Sequence, residues 1–202
     1  MARKMKAPPG LDYDPVVGAH PNLSFGVAKA EGTNGLNATR FVAKRLFPVS
    51  APKDWAAPWP LPSCYRHDVL LPVGASDDFD TARRLVEAYD DQSFGEVKDL
   101  AIIVTLRFPE VDEPGDPIQL HSAWETGRAF GMTLVRTYGA PAIAVMHVPA
   151  RASRPGVPHV HLMLLARQLL PSGFGKFLRS LLADEGRDLV DSHWSEQLNQ
   201  ST

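Results

Sequence analysis

Two histidines separated by one residue, His159 and His161, lie within the most apolar stretch of the chain. Because side chains alternate between the two faces of a β-strand, this His-x-His pair places both imidazoles on one face. The preceding apolar run ends in His147, and the turn-rich residues 149–158 predict a hairpin that brings the two runs together. Neutral imidazoles are common ligands of divalent metal ions. The spacing therefore predicts a metal site formed by His147, His159 and His161.

A structural role is the alternative interpretation of the same histidines. A strand histidine commonly donates a hydrogen bond to the backbone, and in a chain with seven histidines a His-x-His pair can arise by chance. Two buried imidazoles without partners would cost about 1–3 kcal/mol each, so they need a ligand or a hydrogen-bond network. Two other histidine motifs do not fit. A histidine-triad hydrolase needs histidine where the chain has Met163, and a cupin needs glutamate shortly after His161, where residues 164–166 are apolar.

Composition limits the class of protein to which such a site can belong. The chain has 202 residues and is 44% hydrophobic, so we expect one α+β domain over residues 21–200 after a disordered basic arm, residues 1–20. A net charge of −2 gives no overall attraction to nucleic acid, so any DNA contact requires local basic patches. Cys64 is the single cysteine, the N-terminus resembles no secretory signal, and no apolar run could span a membrane. We therefore expect a cytoplasmic protein.

The pattern of strands and helices predicts an α+β fold with one mostly antiparallel sheet and helices packed on it. The clearest buried strand is residues 100–108, and we expect the histidine face of the sheet to be open. We expect residues 48–63 to form a proline-rich connector anchored by Trp55 and Trp59. Two other strands are predicted, at residues 22–29 and 65–72. Helices are predicted over residues 38–47, over a segment that begins at Ser76 or Asp77 and ends at residue 89, and over residues 122–138. A last helix is predicted within 171–186, followed by a tail that contains Trp194.

Residues 138–176 resemble the core of MobA/MobL-type plasmid mobilisation relaxases, which belong to the HUH endonuclease class. The resemblance lies in the histidine that ends AIAVMH, the Pro-His-x-His of VPHVHLMLLAR and the turn SGFGK, and it extends more weakly over residues 22–199. By this resemblance His147, His159 and His161 look like the metal triad. Arg167 and Lys176 match basic positions that follow it. The resemblance implies an HUH relaxase-like fold and a role in plasmid mobilisation and conjugation.

Such a protein would be a metal-dependent endonuclease that acts on single-stranded DNA. A divalent ion, Mg²⁺ or Mn²⁺ with Zn²⁺ as an alternative, polarises the scissile phosphate, and a tyrosine hydroxyl attacks it to leave a 5′-phosphotyrosine. The DNA strand would follow local cations, with accessory mobilisation proteins as further partners. The expected DNA-binding residues are Arg151 and Arg154 in the hairpin loop, together with Arg167 and Lys176.

The nucleophile is where the chain departs from the family pattern. Family relaxases carry a tyrosine on the helix after the first strand, but the corresponding segment NATRFVAKRLF has none. Of the four tyrosines, Tyr89 and Tyr138 are predicted at helix ends, where packing is the expected role. Tyr65, which opens a strand, and Tyr13, on the arm, remain as catalytic candidates. Two alternatives to an enzyme stay open: an inactive relaxase-like domain that binds metal and DNA, and a histidine metal protein unrelated to DNA.

Overall fold

The computed structural model describes residues 12–30, 36–49, 52, 54, 57–93, 98–109 and 120–200. A six-stranded sheet organises this part of the chain. Its strands are β1 (Val16–Val17), β2 (Leu23–Lys29), β3 (Arg66–Leu70), β4 (Asp99–Arg107), β5 (Ala142–His147) and β6 (His159–Leu165). They lie in the order β1-β2-β4-β6-β5-β3, and every neighbouring pair is antiparallel. With the helices packed on it, this sheet confirms the predicted α+β class.

Helices occupy the connections between these strands and the C-terminal part of the described chain. They are α1 (Ala38–Leu46), α2 (Ala82–Asp91), α3 (Leu120–Tyr138), α4 (Arg179–Leu182) and α5 (Gly186–Gln200). Helix α1 begins where predicted, because the Asn37 side chain accepts a backbone hydrogen bond from the first turn at 2.9 Å. Helix α2 begins later than predicted. Ser76 caps only a 3₁₀ turn, Asp77–Phe79, and Thr81 caps the helix.

Helices cover both faces of the sheet. On one face, α3 and α5 pack on the side chains at positions 160, 162 and 164 of β6. On the other face, α1 and α2 pack on Met163 and Leu165 of the same strand. His159 and His161 share this second face, so the expectation of an open histidine face is wrong over most of its length. The face opens at the beginning of β6, where both histidines are half-buried.

The start of the described chain packs on the sheet, although the sequence predicts a disordered arm over residues 1–20. Residues 1–11 lie outside the described part of the chain. After them, Asp12 pairs with Arg45 of α1, and the two side chains are only 6% and 8% exposed. Strand β1 then pairs with β2. The ion pair and the strand together fix residues 12–20 against α1 and the sheet edge, because breaking a buried ion pair leaves an unpaired charge.

The proline-rich connector is attached to the end of α1. The backbone N–H groups of Ser63 and Cys64 both donate to the carbonyl oxygen of Leu46 at 3.0 Å. The Trp59 ring meets the Phe47 ring edge-on, with 5.8 Å between the centroids. Trp59 is therefore packed as predicted, whereas Trp55 lies outside the described residues.

The C-terminal third differs from the sequence prediction. Where one helix is expected within 171–186, the chain forms a hairpin of β7 (Arg167–Leu170) and β8 (Gly173–Phe177), followed by the single turn α4. Gly173 has a φ of +114°, which the tight turn between the two strands requires. The expected tail is helix α5, and its Trp194 packs edge-on against Phe130 of α3 with 4.9 Å between ring centroids. None of the helices described is both long and apolar enough to cross a membrane.

Candidate metal centre

The three predicted histidines meet at one end of the sheet. Strand β6 lies between β4 and β5, and the register places His147 directly opposite His159. His161 lies one step further along the same face of β6, opposite Val145. The three rings have centroids between 4.8 and 5.2 Å apart, and their candidate ligand nitrogens all lie within 4.8 Å of one another. The hairpin therefore brings together the residues that the alternation of the two strands predicts.

Two carbonyl groups fix which nitrogens of His147 and His159 carry hydrogen. A carbonyl oxygen can only accept, so Nε2 of His147 donates to the Arg45 oxygen at 2.7 Å and Nδ1 of His159 donates to the Val157 oxygen at 2.9 Å. The other two nitrogens, Nδ1 of His147 and Nε2 of His159, then carry lone pairs. These two nitrogens face each other at 3.3 Å. Lone pairs at this distance repel unless a cation or a proton lies between them.

A proton does not fill this position at neutral pH. Burial is the main cause that lowers the pKa of His159 to about 4; the hydrogen bond to the Val157 oxygen opposes it, and the neighbouring His147 and Arg107 act in the same direction as burial. Burial also lowers the pKa of His147, against the hydrogen bond to the Arg45 carbonyl oxygen, which raises it; the charges of Arg45 and Arg154 act in the same direction as burial. The pKa of His161 lies well below the usual value, again mainly because of burial. All three imidazoles are therefore neutral ligands at pH 7.

The geometry fits one transition-metal ion. Two nitrogens that each lie about 2.1 Å from the same ion are separated by roughly 3.0–3.4 Å at octahedral or tetrahedral angles, which matches the 3.3 Å separation. Nδ1 of His161 lies 2.8 Å from the hydroxyl oxygen of Thr105, which leaves Nε2 available as the third donor. Among the described residues, the cluster consists of three imidazoles without a carboxylate. Imidazole donors favour Zn²⁺ and similar ions over Mg²⁺, and three donors leave coordination positions for a substrate.

Two arginines at the centre, Arg107 and Arg45, are not among the site residues predicted above. Arg107 ends β4 and lies opposite His159 in the register. It could have been found, because Thr105 and Arg107 alternate onto the same face as the histidines. Arg45 belongs to α1, and its side chain is 8% exposed and bound to Asp12. The charge of Arg45 holds the pKa of Asp12 below its usual value although burial acts in the opposite direction.

A cleft of about 680 Å³ opens beside the histidines. The backbone N–H of Tyr65 donates to the Met146 oxygen at 3.0 Å, which places Tyr65 next to the end of β5. The guanidinium carbon of Arg151 lies 4.6 Å from the centroid of the Tyr65 ring. Arg154 also lines the cleft and donates to the Pro48 oxygen at 3.1 Å. Thus one catalytic candidate and two predicted DNA contacts share the cleft with His147 and His159.

The other predicted site residues lie elsewhere. Tyr13 packs on α1, with its ring edge-on to Phe41 at 6.4 Å between centroids. Arg167 follows the far end of β6 and donates to the Gly175 and Gln92 oxygens, each at 2.8 Å. Lys176 is an exposed residue of β8. The hydroxyl groups of the two remaining tyrosines have partners inside the protein. The Tyr89 hydroxyl donates to the Asp99 oxygen at 3.2 Å, and the Tyr138 hydroxyl lies 3.0 Å from Nε2 of His193.

The fold and the site define an α+β protein whose central antiparallel strands carry a histidine triad beside an arginine-lined cleft. Its structure is similar to a solved structure described as "Molecular Basis of Vancomycin Resistance Transfer in Staphylococcus aureus". The match has a TM-score of 0.64 at 20% sequence identity and covers 88% of this chain and 91% of the other. At this identity the likeness shows the fold alone. No protein-family model matches the chain, and no curated protein is significantly similar to it in sequence.

Proposed function

We propose that this chain is a relaxase-like protein of plasmid mobilisation that nicks and transfers single-stranded DNA with the help of a divalent metal ion at the histidine triad. The observation that carries the proposal is the pair of unprotonated nitrogens, on His147 and His159, which face each other at 3.3 Å beside a cationic cleft. The fold is shared with a protein concerned with vancomycin resistance transfer, which supports a role in gene transfer. The residues that resemble MobA/MobL-type relaxases are the same ones that form this centre.

The groups in and beside the cleft would have separate roles in such a reaction. The bound ion would polarise the scissile phosphodiester and stabilise its developing negative charge. Arg151 and Arg154 would hold neighbouring phosphates of the strand. The Tyr65 hydroxyl would form a bond to phosphorus as the bond to the 3′ oxygen breaks, and its proton would pass to that oxygen. The products would be a free 3′ hydroxyl and a 5′-phosphotyrosine, which a second 3′ hydroxyl can attack to rejoin a strand.

A covalent trap tests this proposal. The protein is incubated with Mn²⁺ or Zn²⁺ and a random-sequence pool of single strands labelled at the 3′ end, because the target sequence is unknown. The 3′ fragment should remain attached to the protein after denaturation, and chelation should abolish the adduct. Tyr65→Phe should abolish it as well, whereas Tyr138→Phe should retain it because that hydroxyl contacts His193. An adduct that survives in Tyr65→Phe would assign the nucleophile to another residue.

A binding-only protein is the second candidate. One observation favours it: helix α1, where family relaxases carry the nucleophile, has Phe41 as its aromatic residue, and that ring is fully buried. In this case the pool would be retained in a metal-dependent manner without any covalent adduct. A histidine metal protein unrelated to DNA would retain no strand even at low salt. The same experiment therefore separates all three functions.

A further inference from the structure

Two arginines flank the histidine centre, and their charges are balanced differently. Arg45 binds Asp12 through both terminal nitrogens of its guanidinium group, and one of these nitrogens also donates to the Phe41 oxygen at 2.8 Å. Its guanidinium carbon stacks 3.9 Å from the centroid of the Phe41 ring. Arg45 is thus neutralised and held in place, so it has little capacity left to bind a ligand.

The described partner of Arg107 is a neutral group instead of a carboxylate. It ends β4 directly opposite His159, and its Nη1 donates to the Ser24 hydroxyl at 3.2 Å. Ser24 is a neutral partner and is 2% exposed. Within the residues that the structure describes, no carboxylate forms an ion pair with Arg107. Among the residues that the structure describes, its positive charge is therefore met by the neutral Ser24 hydroxyl, at a half-buried position where screening by water is reduced.

We propose that Arg107 and the histidine centre form one anion site, in which the Arg107 guanidinium binds a non-bridging oxygen of a DNA phosphodiester. This inference rests on the proposed function, because it assigns the scissile phosphate to Arg107. A guanidinium presents a planar pair of donors that matches two phosphate oxygens, and hydrogen bonds between charged groups are stronger than neutral ones. A cation beside the triad also repels a metal ion. A phosphodiester between them removes that repulsion, so metal and phosphodiester strengthen each other's binding.

The test uses metal-free protein, so that it does not depend on nicking. The protein is titrated with the thymidine dinucleotide dTpT, which carries one phosphodiester, and the ring resonances of His159 and His161 are followed by NMR. We expect a saturable shift of the His159 resonances, because Arg107 lies opposite that residue. Arg107→Gln should weaken the binding by about tenfold or more, and Arg107→Lys should retain part of it. Zn²⁺ should tighten the binding of dTpT to the parent protein.

The exposed Arg136 of α3 provides the matched control, and Arg136→Gln should bind dTpT like the parent protein. Thermal unfolding of each variant checks that the fold is kept; within the described part of the chain, Arg107→Gln removes the hydrogen bond to Ser24. Binding by Arg107→Gln that equals that of the parent would overturn the assignment, as would a parent titration that leaves His159 unshifted. If Arg107 is required for dTpT binding but no strand is ever nicked, the anion site stands and the nicking proposal fails.

Discussion

At the scale of single residues, the centre depends on three imidazoles that stay neutral at pH values where free imidazoles would begin to bind a proton. The Arg45 and Val157 oxygens orient His147 and His159, and burial removes the competing proton. Such outer contacts commonly fix the tautomer of a metal-binding histidine and hold its ring in place. The same features determine how metal affinity and stability respond to pH.

Metal affinity should change little as the pH falls from 7.5 through 6.5. Protons compete with the ion only near the pKa of the free ligands, and burial lowers the pKa of His159 to about 4 and lowers the pKa of His147 and His161 as well. Calorimetry with Zn²⁺ at several pH values measures this directly. The double variant His159→Ala, His161→Ala should lose binding. A parent affinity that already halves at pH 6.5 would mean that the ligands titrate like free imidazole.

The metal-free protein should lose stability as the medium becomes acidic. The unfolded chain binds a proton at His159 below about pH 6.5, but the folded chain does so only near pH 4, so the free energy of unfolding falls with pH between these values. The loss between pH 7.5 and pH 5 from this residue alone is about 2 kcal/mol. Urea unfolding of the parent and of His159→Gln, both metal-free, should show a smaller pH dependence in the variant. Equal slopes would contradict the lowered pKa.

At the scale of the elements, β6 serves two purposes because its two faces meet different partners. Its even-numbered side chains form core beneath α3, and its first odd-numbered side chains are the histidines. Helix α3 approaches this strand through Gly127 and Gly131. A Cβ atom at Gly127 would lie 2.9 Å from a Val160 methyl and 3.0 Å from its Cβ, whereas one at Gly131 would meet only the flexible ends of two leucines.

Gly127→Ala should therefore damage both the fold and the centre. Alanine gains about 1 kcal/mol of helix propensity over glycine, but overpacking against the stiff Val160 costs about 1–3 kcal/mol and displaces the strand between His159 and His161. We expect lower stability together with weaker Zn²⁺ binding. Gly131→Ala is the matched control, with a smaller effect on stability and unchanged metal affinity, because leucine tips can rotate away. A Gly127→Ala protein with parental Zn²⁺ affinity would show that the strand does not move.

The docking of residues 12–20 on α1 gives a further prediction. Asp12→Asn leaves the buried charge of Arg45 without the carboxylate that neutralises it, which costs about 3–5 kcal/mol of stability. Lys44→Met removes the other cation that contacts Asp12, but Lys44 is 53% exposed and its loss should change stability by less than about 0.5 kcal/mol. Thermal or urea unfolding measures both. The double variant Asp12→Asn, Arg45→Met should recover part of the loss, and a failure to recover any would point to another role for Asp12.

At the scale of the whole molecule, the small negative net charge makes any DNA binding local. If Arg151 and Arg154 each contact one phosphate, replacing both with Gln should reduce the slope of log K against log salt by about 1.4, since each contact with a single strand contributes about 0.7. Fluorescence anisotropy with a labelled strand measures the slope. Arg167→Gln should leave the slope unchanged, because that guanidinium already binds the Gly175 and Gln92 oxygens. A reduced slope in Arg167→Gln would extend the DNA path to the far end of β6.

The features that the sequence predicts well are those with a local period. Strand alternation identifies the triad, and the same alternation would have included Arg107. The contacts missed join distant positions, such as Asp12 with Arg45, whose pairing leaves no periodic signal. The C-terminal helix is misplaced because the leucines at 178, 181 and 182 have helical spacing, whereas Gly173 enforces a turn just before them. Tyr65 is selected from its place in the sequence, but its contact with Arg151 depends on the path of the hairpin loop.

Because the two faces of β6 carry different side chains, the three histidines meet only when β6 pairs with its neighbours in the observed register. Side chains change face at every residue, so sliding β6 by one position past its neighbours would turn both histidines under α3 and bring Val160 to the metal position. A slide by two positions restores the face but leaves only one β6 histidine near His147, so the observed alignment is needed to assemble all three. An ion that needs all three ligands would therefore bind only to chains whose strands are correctly aligned, and its binding would shift the population toward them. Metal occupancy would thus indicate two things, that the three ligands are present and that the strands of this sheet are correctly aligned.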